Sequence, residues 1–144
     1  MQKINFTQKN KKARIFSVLV LFLLCSQMAV SQSNKQVVPD EIISALNKGD
    51  SERLSARLAN RVSLVINTQT DTYTAADAKK ILSDFFTKNA VESFKIVHQG
   101  GSEQSCFVIG TLKTANGSFR LYLLMRGKTL SIQQIIIGKE QREE

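Results

Sequence analysis

The spacing of apolar residues changes twice along the chain. One apolar run, in which Ser17 is the single polar residue, covers residues 15–24, helical spacing follows over most of residues 39–88, and alternation of apolar and polar residues begins at Val91. Helical spacing places apolar side chains on one side of a helix, whereas alternation places them on one face of a strand. The pattern therefore predicts mainly helices before Val91 and strands after it.

Two short helices are predicted first. Pro39 suits a first helical turn, and Gly49 ends that helix because it accepts a left-handed backbone. Asp50 or Ser51 can cap a second helix, whose apolar residues lie one turn apart and reach Leu58. Both helices then have one apolar side.

The longest helix is predicted after Thr74, which can cap it. Its opposite side carries Lys80, Asp84 and Lys88, four residues apart, and this spacing predicts a solvent-exposed row of ion pairs. Asp84 is accordingly interpreted as a surface residue and not as a catalytic acid. The apolar residues at helical spacing form a core-facing stripe: Ala78, Ile81, Leu82, Phe85 and Phe86.

Strands are predicted over Arg61–Ile66 and Thr70–Tyr73, and four longer runs follow: Val91–Gln99, Ser105–Thr114, Ser118–Arg126 and Leu130–Ile137. Each break between the longer runs is short and contains glycine, and Asn116-Gly117 is a strong hairpin signal. Short breaks favour antiparallel neighbours, since a parallel pair needs a long crossover. The chain is thus predicted to be one α+β domain over residues 38–138, with helices first and then an antiparallel meander.

The apolar run at 15–24 lies in a segment typical of a secretory signal peptide. Residues 1–14 contain five basic residues and no acidic one, and the small residues Ala29 and Ser31 follow the run. We therefore expect cleavage after Ser31 and export to the periplasm or the extracellular space. A polar leader (32–37) then precedes the domain, and a charged tail (139–144) follows it.

Two alternatives to cleavage are a retained membrane anchor and a lipoprotein. A membrane span takes about twenty apolar residues, whereas Ser26 and Gln27 interrupt this run early. Lipid attachment at Cys25 prefers a small preceding residue, and Leu24 is not small. We therefore expect no stable membrane insertion after cleavage.

Removal of residues 1–31 changes the charge of the chain. The whole chain has 20 Lys and Arg against 12 Asp and Glu, a net charge of +8, and the remaining 15 basic against 12 acidic residues give +3. Such a small, scattered excess does not indicate a nucleic-acid surface. Cys106 is then the one cysteine left, which excludes an internal disulfide. Its apolar neighbours predict a buried thiol, and an intermolecular disulfide is the alternative.

Three groups of packing and turn positions share a pattern with a known fold. They are Ile43-x-x-Leu46-x-x-Gly49-Asp50, Tyr73-x-x-x-x-Ala78-x-x-Ile81-Leu82-x-x-Phe85-Phe86, and Gly110-Thr111-Leu112 followed by Phe119-Arg120. With these positions and its order of elements, the chain resembles the nuclear-transport-factor-two-like (NTF2-like) superfamily from Val38 to about Gly138. Within it, the chain is similar to a family of small exported bacterial proteins, a domain of unknown function.

This resemblance implies a strongly curved antiparallel sheet that wraps around the helices as a cone, a fold also described as cystatin-like. It further implies a pocket inside the cone and a homodimer paired through the sheet. Enzymes of the superfamily commonly place a His, Asp or Tyr in the cone as acid or base, but no such motif aligns residue by residue with this chain. The resemblance therefore supports the fold more than any activity.

His98 is the one histidine of the chain. By strict alternation along its strand it shares a face with Phe94 and Ile96, so it enters the pocket if that face is concave. A general base needs a partner that fixes its tautomer, and the local sequence contains none. His98 is thus a candidate ligand contact or base, with a structural, hydrogen-bonded role as the alternative.

The strand Ser118–Arg126 has one purely apolar face and one mixed face. Arg120 and Tyr122 lie on the mixed face, where they are candidates for recognising an anionic group of a ligand or partner. The alternative is an outer sheet face on which the Arg stems cover apolar neighbours. The sequence leaves open which face of the sheet is concave.

No other group of residues indicates catalysis, a metal or a cofactor. The sequence has no Gly-x-Ser-x-Gly, no phosphate-binding glycine-rich loop and no His-Glu-x-x-His. We therefore expect a non-catalytic exported domain that binds a small molecule or an envelope protein through its pocket or its sheet face. One alternative is a dehydratase or isomerase with His98 as base and Tyr122 or a carboxylate as its partner. Another is a structural envelope protein with a filled interior.

Overall fold

The computed structural model describes residues 38–140, and three helices and six strands follow one another there. The helices are α1 (Asp40–Lys48), α2 (Ser51–Ser55) and α3 (Ala75–Lys88), and the strands are β1 (Leu58–Ile66), β2 (Gln69–Thr74), β3 (Val91–Ser102), β4 (Ser105–Thr114), β5 (Gly117–Arg126) and β6 (Ser131–Lys139). The predicted signal peptide (1–31) and leader (32–37) lie outside the described residues, as do positions 141–144 of the tail. Within residues 38–140, no helix is long and apolar enough to span a membrane.

Local signals determine where α1 ends and α2 begins. Gly49 follows α1 with a φ of 62°, in the left-handed region, which lets the chain leave the helix at once. The Asp50 side chain then accepts a hydrogen bond of 3.0 Å from the backbone N–H of Arg53 and caps α2. The structure confirms both predicted boundaries.

The end of α2 differs from the prediction. The spacing of Leu54 and Leu58 indicates one helix face, whereas α2 ends at Ser55 and Leu58 begins β1. The backbone N–H of Ile132 donates to the carbonyl of Arg57 at 2.7 Å and so pairs the start of β1 with β6. A strand partner that is distant in sequence overrides the local helical pattern.

The helix α3 follows its predicted stripe. The hydroxyl of Thr74 accepts a hydrogen bond of 3.2 Å from the backbone N–H of Asp77 and caps the helix. Ile81 is half-buried and packs against the core. The buried residues of the helix are Ala78, Leu82, Phe85 and Phe86.

The six strands form one sheet in the order β2-β1-β6-β5-β4-β3. The strands β3 to β6 form the predicted antiparallel meander, and β1 and β2 form an antiparallel hairpin. β1 and β6 are parallel, with Leu64 beside Ile135 and Ile66 beside Ile137. This parallel pair joins the hairpin to the last strand, and it is the one departure from a purely antiparallel sheet among the described strands.

The sheet has an inner face, against which the helices pack, and an outer face. Alternation along the strands separates the two sets of side chains. Inner-facing residues of the central strands are buried, among them Leu64, Val108, Leu121, Leu123 and Ile135. Outer-facing apolar residues are half-buried: Val65, Phe107, Ile109, Leu124 and Ile136. The arrangement confirms the predicted α+β class.

Candidate functional site

The candidate residue His98 lies on the outer face of the sheet. Ile96 pairs with Gly110, but His98 pairs with Ile109, so Val97 is an extra residue in β3. Such a β-bulge sets two residues of one strand opposite one residue of its neighbour. The strict alternation that assigns His98 to the face of its apolar neighbours breaks here, and that assignment is wrong.

The contacts of the His98 ring agree with this placement. Its centroid lies 5.5 Å from that of Phe107, and the Phe107 ring stacks on Tyr122 at 6.3 Å. All three rings belong to the outer face, and the His98 side chain is exposed. His98 therefore does not face the interior between helices and sheet, where a base of the expected kind would have to lie.

Arg120 and Tyr122 lie on the outer face of β5. The guanidinium of Arg120 binds the carboxylate of Glu140, with Nη2 2.6 Å from Oε1. The hydroxyl of Thr111 donates to the same oxygen at 3.3 Å. The cationic group of Arg120 is thus already occupied by an acid of the same chain, as expected for the outer-face alternative.

A cavity of about 480 Å³ lies beside α3, near the turn from β1 to β2. Residues of α3, β1, β2 and the adjoining ends of β5 and β6 form its wall. His98, Arg120 and Tyr122 are not among its lining residues. The cavity is therefore separate from all three residues that the sequence indicated.

The floor of the cavity is apolar. Its residues come from the inner face of the sheet and from α3: Leu64, Ile66, Ile81, Phe85 and Phe119. The Phe85 and Phe119 rings meet edge to face, with centroids 5.1 Å apart and planes at 82°, a geometry that the ring quadrupoles favour. Because Leu64, Phe85 and Phe119 also belong to the hydrophobic core, the floor is continuous with that core.

Six polar side chains form what we call the rim: Asn67, Gln69, Tyr73, Asp84, Lys88 and Lys139. Within residues 38–140, none of these six side chains makes a hydrogen bond or an ion pair with another residue. The remaining polar lining residue, Asn89, donates from Nδ2 to the carbonyl of Phe85 at 3.0 Å. The rim thus offers charges, donors and acceptors to water or to a bound molecule.

Asp84 departs from the predicted row of ion pairs on α3. No lysine Nζ of the described chain lies within 4.0 Å of its carboxylate, and Lys80 instead approaches an aspartate of the first turn at 4.0 Å. Asp84 and Lys88 line the cavity together with Ile81 and Phe85. These four positions have the spacing of one helix face, so the sequence contains the signal that they belong together.

Cys106 is buried on the inner face of β4, as its apolar neighbours predict. Burial raises the pKa of its thiol, because desolvation disfavours the thiolate. The thiol is a poor nucleophile and metal ligand in that state. In the part of the chain that the structure describes, no group of three or more His, Cys, Asp or Glu side chains is placed to hold a metal ion.

The chain is similar to the members of one protein family. A family model described as a domain of unknown function (DUF4783) matches residues 39–138. The crystal structure of a DUF4783 family protein from Bacteroides ovatus is 36% identical, has a TM-score of 0.69, and covers 74% of this chain and 99% of that one. A second such structure, from Bacteroides uniformis, is 36% identical with a TM-score of 0.70 and covers 73% and 99%.

The fold is also found at much lower identity. An NTF2-like protein of unknown function from Cytophaga hutchinsonii is 10% identical, with a TM-score of 0.51, and covers 69% of this chain and 84% of that one. At this identity the similarity concerns the fold alone. No curated protein is significantly similar to the chain. The predicted NTF2-like, cystatin-like α+β fold with a curved sheet is thereby confirmed.

Proposed function

The chain belongs to the DUF4783 family, a domain of unknown function, and we propose that it is a binding domain that holds a small molecule in the cavity without transforming it. The cavity is the observation that carries the proposal. Its volume of about 480 Å³ falls within the range of about 300–1,000 Å³ typical of small-molecule sites. A floor of buried and half-buried apolar side chains beneath a largely exposed polar rim favours a ligand with an apolar body and a polar end.

The geometry gives less support to the two alternatives. A dehydratase or isomerase that uses His98 as base needs this residue in the pocket, whereas His98 lies on the outer face. A purely structural protein needs no ligand cavity, whereas a cavity of about 480 Å³ opens beside α3. Binding is the function that agrees with both observations.

Two eight-carbon probes, octanol and octanoate, test the proposal by isothermal titration calorimetry on the purified protein. We expect saturable 1:1 binding of at least octanoate with a Kd of about 1 mM or tighter. That value corresponds to about 4.1 kcal/mol, or ~0.4 kcal/mol per non-hydrogen atom, near the lower end of observed ligand efficiencies.

A matched pair of variants locates the bound probe. Ile81 lines the cavity and Ile136 lies on the outer face, and both are half-buried. Ile81→Trp fills the cavity and should weaken octanoate binding at least about tenfold, whereas Ile136→Trp should leave it unchanged. The proposal fails if neither probe titrates, or if Ile136→Trp removes binding as completely as Ile81→Trp does.

A second candidate function uses the outer face, which we propose as the contact surface of a homodimer. Half-buried apolar side chains from three adjacent strands lie side by side there, with Ile109 paired to Tyr122 and Tyr122 paired to Ile136. In a twofold interface these apolar side chains would contact the same side chains of a second copy of the chain. Analytical ultracentrifugation should then find a dimer for the native chain and a monomer for Leu124→Arg. A native chain that is monomeric at 100 µM would exclude this interface.

Export is the last part of the proposal. We propose that cleavage after Ser31 releases the domain into the periplasm or the extracellular space, where its small molecule or envelope partner is found. The basic segment and apolar run of residues 1–24 support it. Mass spectrometry of the protein from the envelope fraction and the medium should give an N-terminus at Gln32. An intact Met1 on the protein from those fractions would contradict export by cleavage.

A further inference from the structure

Resting on the proposed ligand binding, we infer that the ligand of this cavity carries an anionic oxygen headgroup, which Lys88 and Lys139 hold at the rim. In this arrangement the headgroup contacts the rim, and the apolar body of the ligand lies against the floor of the cavity. Two observations carry the inference: the position of two cations on one rim, and the lack of protein partners for the polar side chains around them.

The two lysines reach the same cavity from different elements. Lys88 is the last residue of α3 and Lys139 is the last residue of β6. The side chain of Asn116 donates from Nδ2 to the carbonyl of Lys88 at 2.6 Å, which fixes the end of α3. Lys139 pairs with Phe119 in the sheet. The rim cations are thus mounted on anchored backbone, although their side chains are exposed.

The charge of the rim favours an anion. Asp84 is the one acid among the lining residues, against the two lysines. Within residues 38–140, neither lysine has a carboxylate within 4.0 Å of its Nζ. Elsewhere in the described domain, Arg57 binds Glu41 and Lys79 binds Glu52. An acid supplied by a ligand would give the rim lysines the partner that these other cations already have.

The neutral rim groups fit the same headgroup. Asn67 and Gln69 each offer two amide N–H donors, and Tyr73 offers a hydroxyl. A carboxylate accepts hydrogen bonds on both oxygens and can use such donors together with an ammonium group. A cationic ligand would be attracted at the rim by Asp84 alone and would be repelled by both lysines.

Three probes with one apolar body and different headgroups test the inference: octanoate, octanol and octylammonium. In calorimetry on the native protein we expect octanoate to bind most tightly, octanol next and octylammonium least. Raising the ionic strength should weaken octanoate binding and leave octanol binding unchanged, because salt screens only the charged pair.

Substitutions assign the effect to the rim. Lys88→Gln and Lys139→Gln should each lower octanoate affinity about 2–5-fold, the range expected for exposed ion pairs, and leave octanol affinity unchanged. Asp84→Asn should raise octanoate affinity by a similar factor, because it removes a like charge. Lys95→Gln is the control, since Lys95 is exposed and outside the cavity and its loss changes the net charge equally.

The outcomes separate the headgroup from the site. If octanol binds as tightly as octanoate, or if Lys95→Gln weakens octanoate as much as the rim variants do, the anionic headgroup is wrong and the binding site stands. Tightest binding of octylammonium would likewise overturn it and assign the headgroup to Asp84. If neither octanoate nor octanol binds, the proposed function itself fails. Thermal melts of every variant distinguish loss of binding from loss of fold.

Discussion

The outer face of the sheet and the rim of the cavity both mix apolar and polar side chains, but their polar groups differ in what they bind. On the outer face Arg120 binds Glu140 at 2.6 Å, and Thr111 donates to the same carboxylate. At the rim, Lys88 and Lys139 have no such partner within residues 38–140. The charge of Arg120 on the outer face is satisfied within the chain, whereas the two rim lysines have only water or a ligand to bind.

This difference shows that residue type does not identify a binding surface by itself. Arg120 and Tyr122 look suited to an anion because a cation and a phenol share one strand face. Glu140 comes from the chain beyond β6 and occupies the guanidinium, so the anion is already present. The partner of a charged side chain decides whether that side chain can serve a ligand.

Thiol labelling gives the largest contrast between the inner and the outer side of the sheet. In a Cys25→Ser chain, Cys106 should react with a maleimide or an aromatic disulfide on the order of 10³-fold slower than Val97→Cys in a Cys25→Ser, Cys106→Ser chain. Cys106 is buried with a raised pKa, and its exposure requires opening of a domain stabilised by about 5 kcal/mol or more. Val97 is 58% exposed. In guanidinium, where both chains are unfolded, the two thiols should react at equal rates, which is the control. Equal rates in the folded state would contradict this assignment of faces.

Neighbouring leucines of β5 give the next largest contrast. Leu123 is completely buried on the inner face, while Leu124 is half-buried on the outer face. Leu123→Ala should lower the free energy of unfolding by about 2–5 kcal/mol, because it leaves a cavity in the core. Leu124→Ala should lower it by less than about 1 kcal/mol in the monomer. Urea denaturation measures both, and a larger loss for Leu124→Ala would reverse the two faces.

The smallest contrast separates two adjacent residues at the end of β6. Glu140→Gln breaks the ion pair with Arg120. The side chains of Glu140 and Arg120 are 27% and 47% exposed, so this loss should lower the free energy of unfolding by ~0.2–1 kcal/mol. Lys139→Gln should cost less than that, because Lys139 has no ion-pair partner in the described chain. Octanoate affinity should respond in the opposite sense, falling for Lys139→Gln and not for Glu140→Gln. A comparison of melting temperature and titration for the two variants tests both statements.

Much of the fold follows from local signals in the sequence. Caps at Asp50 and Thr74, the turn at Gly49 and the alternation of the last four strands predict most element boundaries. The start of β1 at Leu58 is not predictable in this way, because its partner strand β6 lies at the other end of the domain. Local spacing carries no information about such a distant neighbour.

The candidate site was predicted less well, for two physical reasons. A single bulged residue, Val97, moves His98 to the other face, and nothing in the local pattern reveals it. The cavity residues Asp84 and Lys88 lie at the border between the core stripe and the solvent side of α3. If every helix position is assigned either to the core or to solvent, such border residues are assigned to solvent and the cavity is missed.

The parallel pairing of β1 and β6 governs the order in which the domain can assemble. Leu64 lies beside Ile135, so β1 can pair with β6 only after this last strand has been made. Contacts between residues so far apart in sequence slow folding. A chain that emerges N-terminus first from the ribosome therefore cannot join the β1–β2 hairpin to the meander within one sheet until residues 132–137 of β6 have been made.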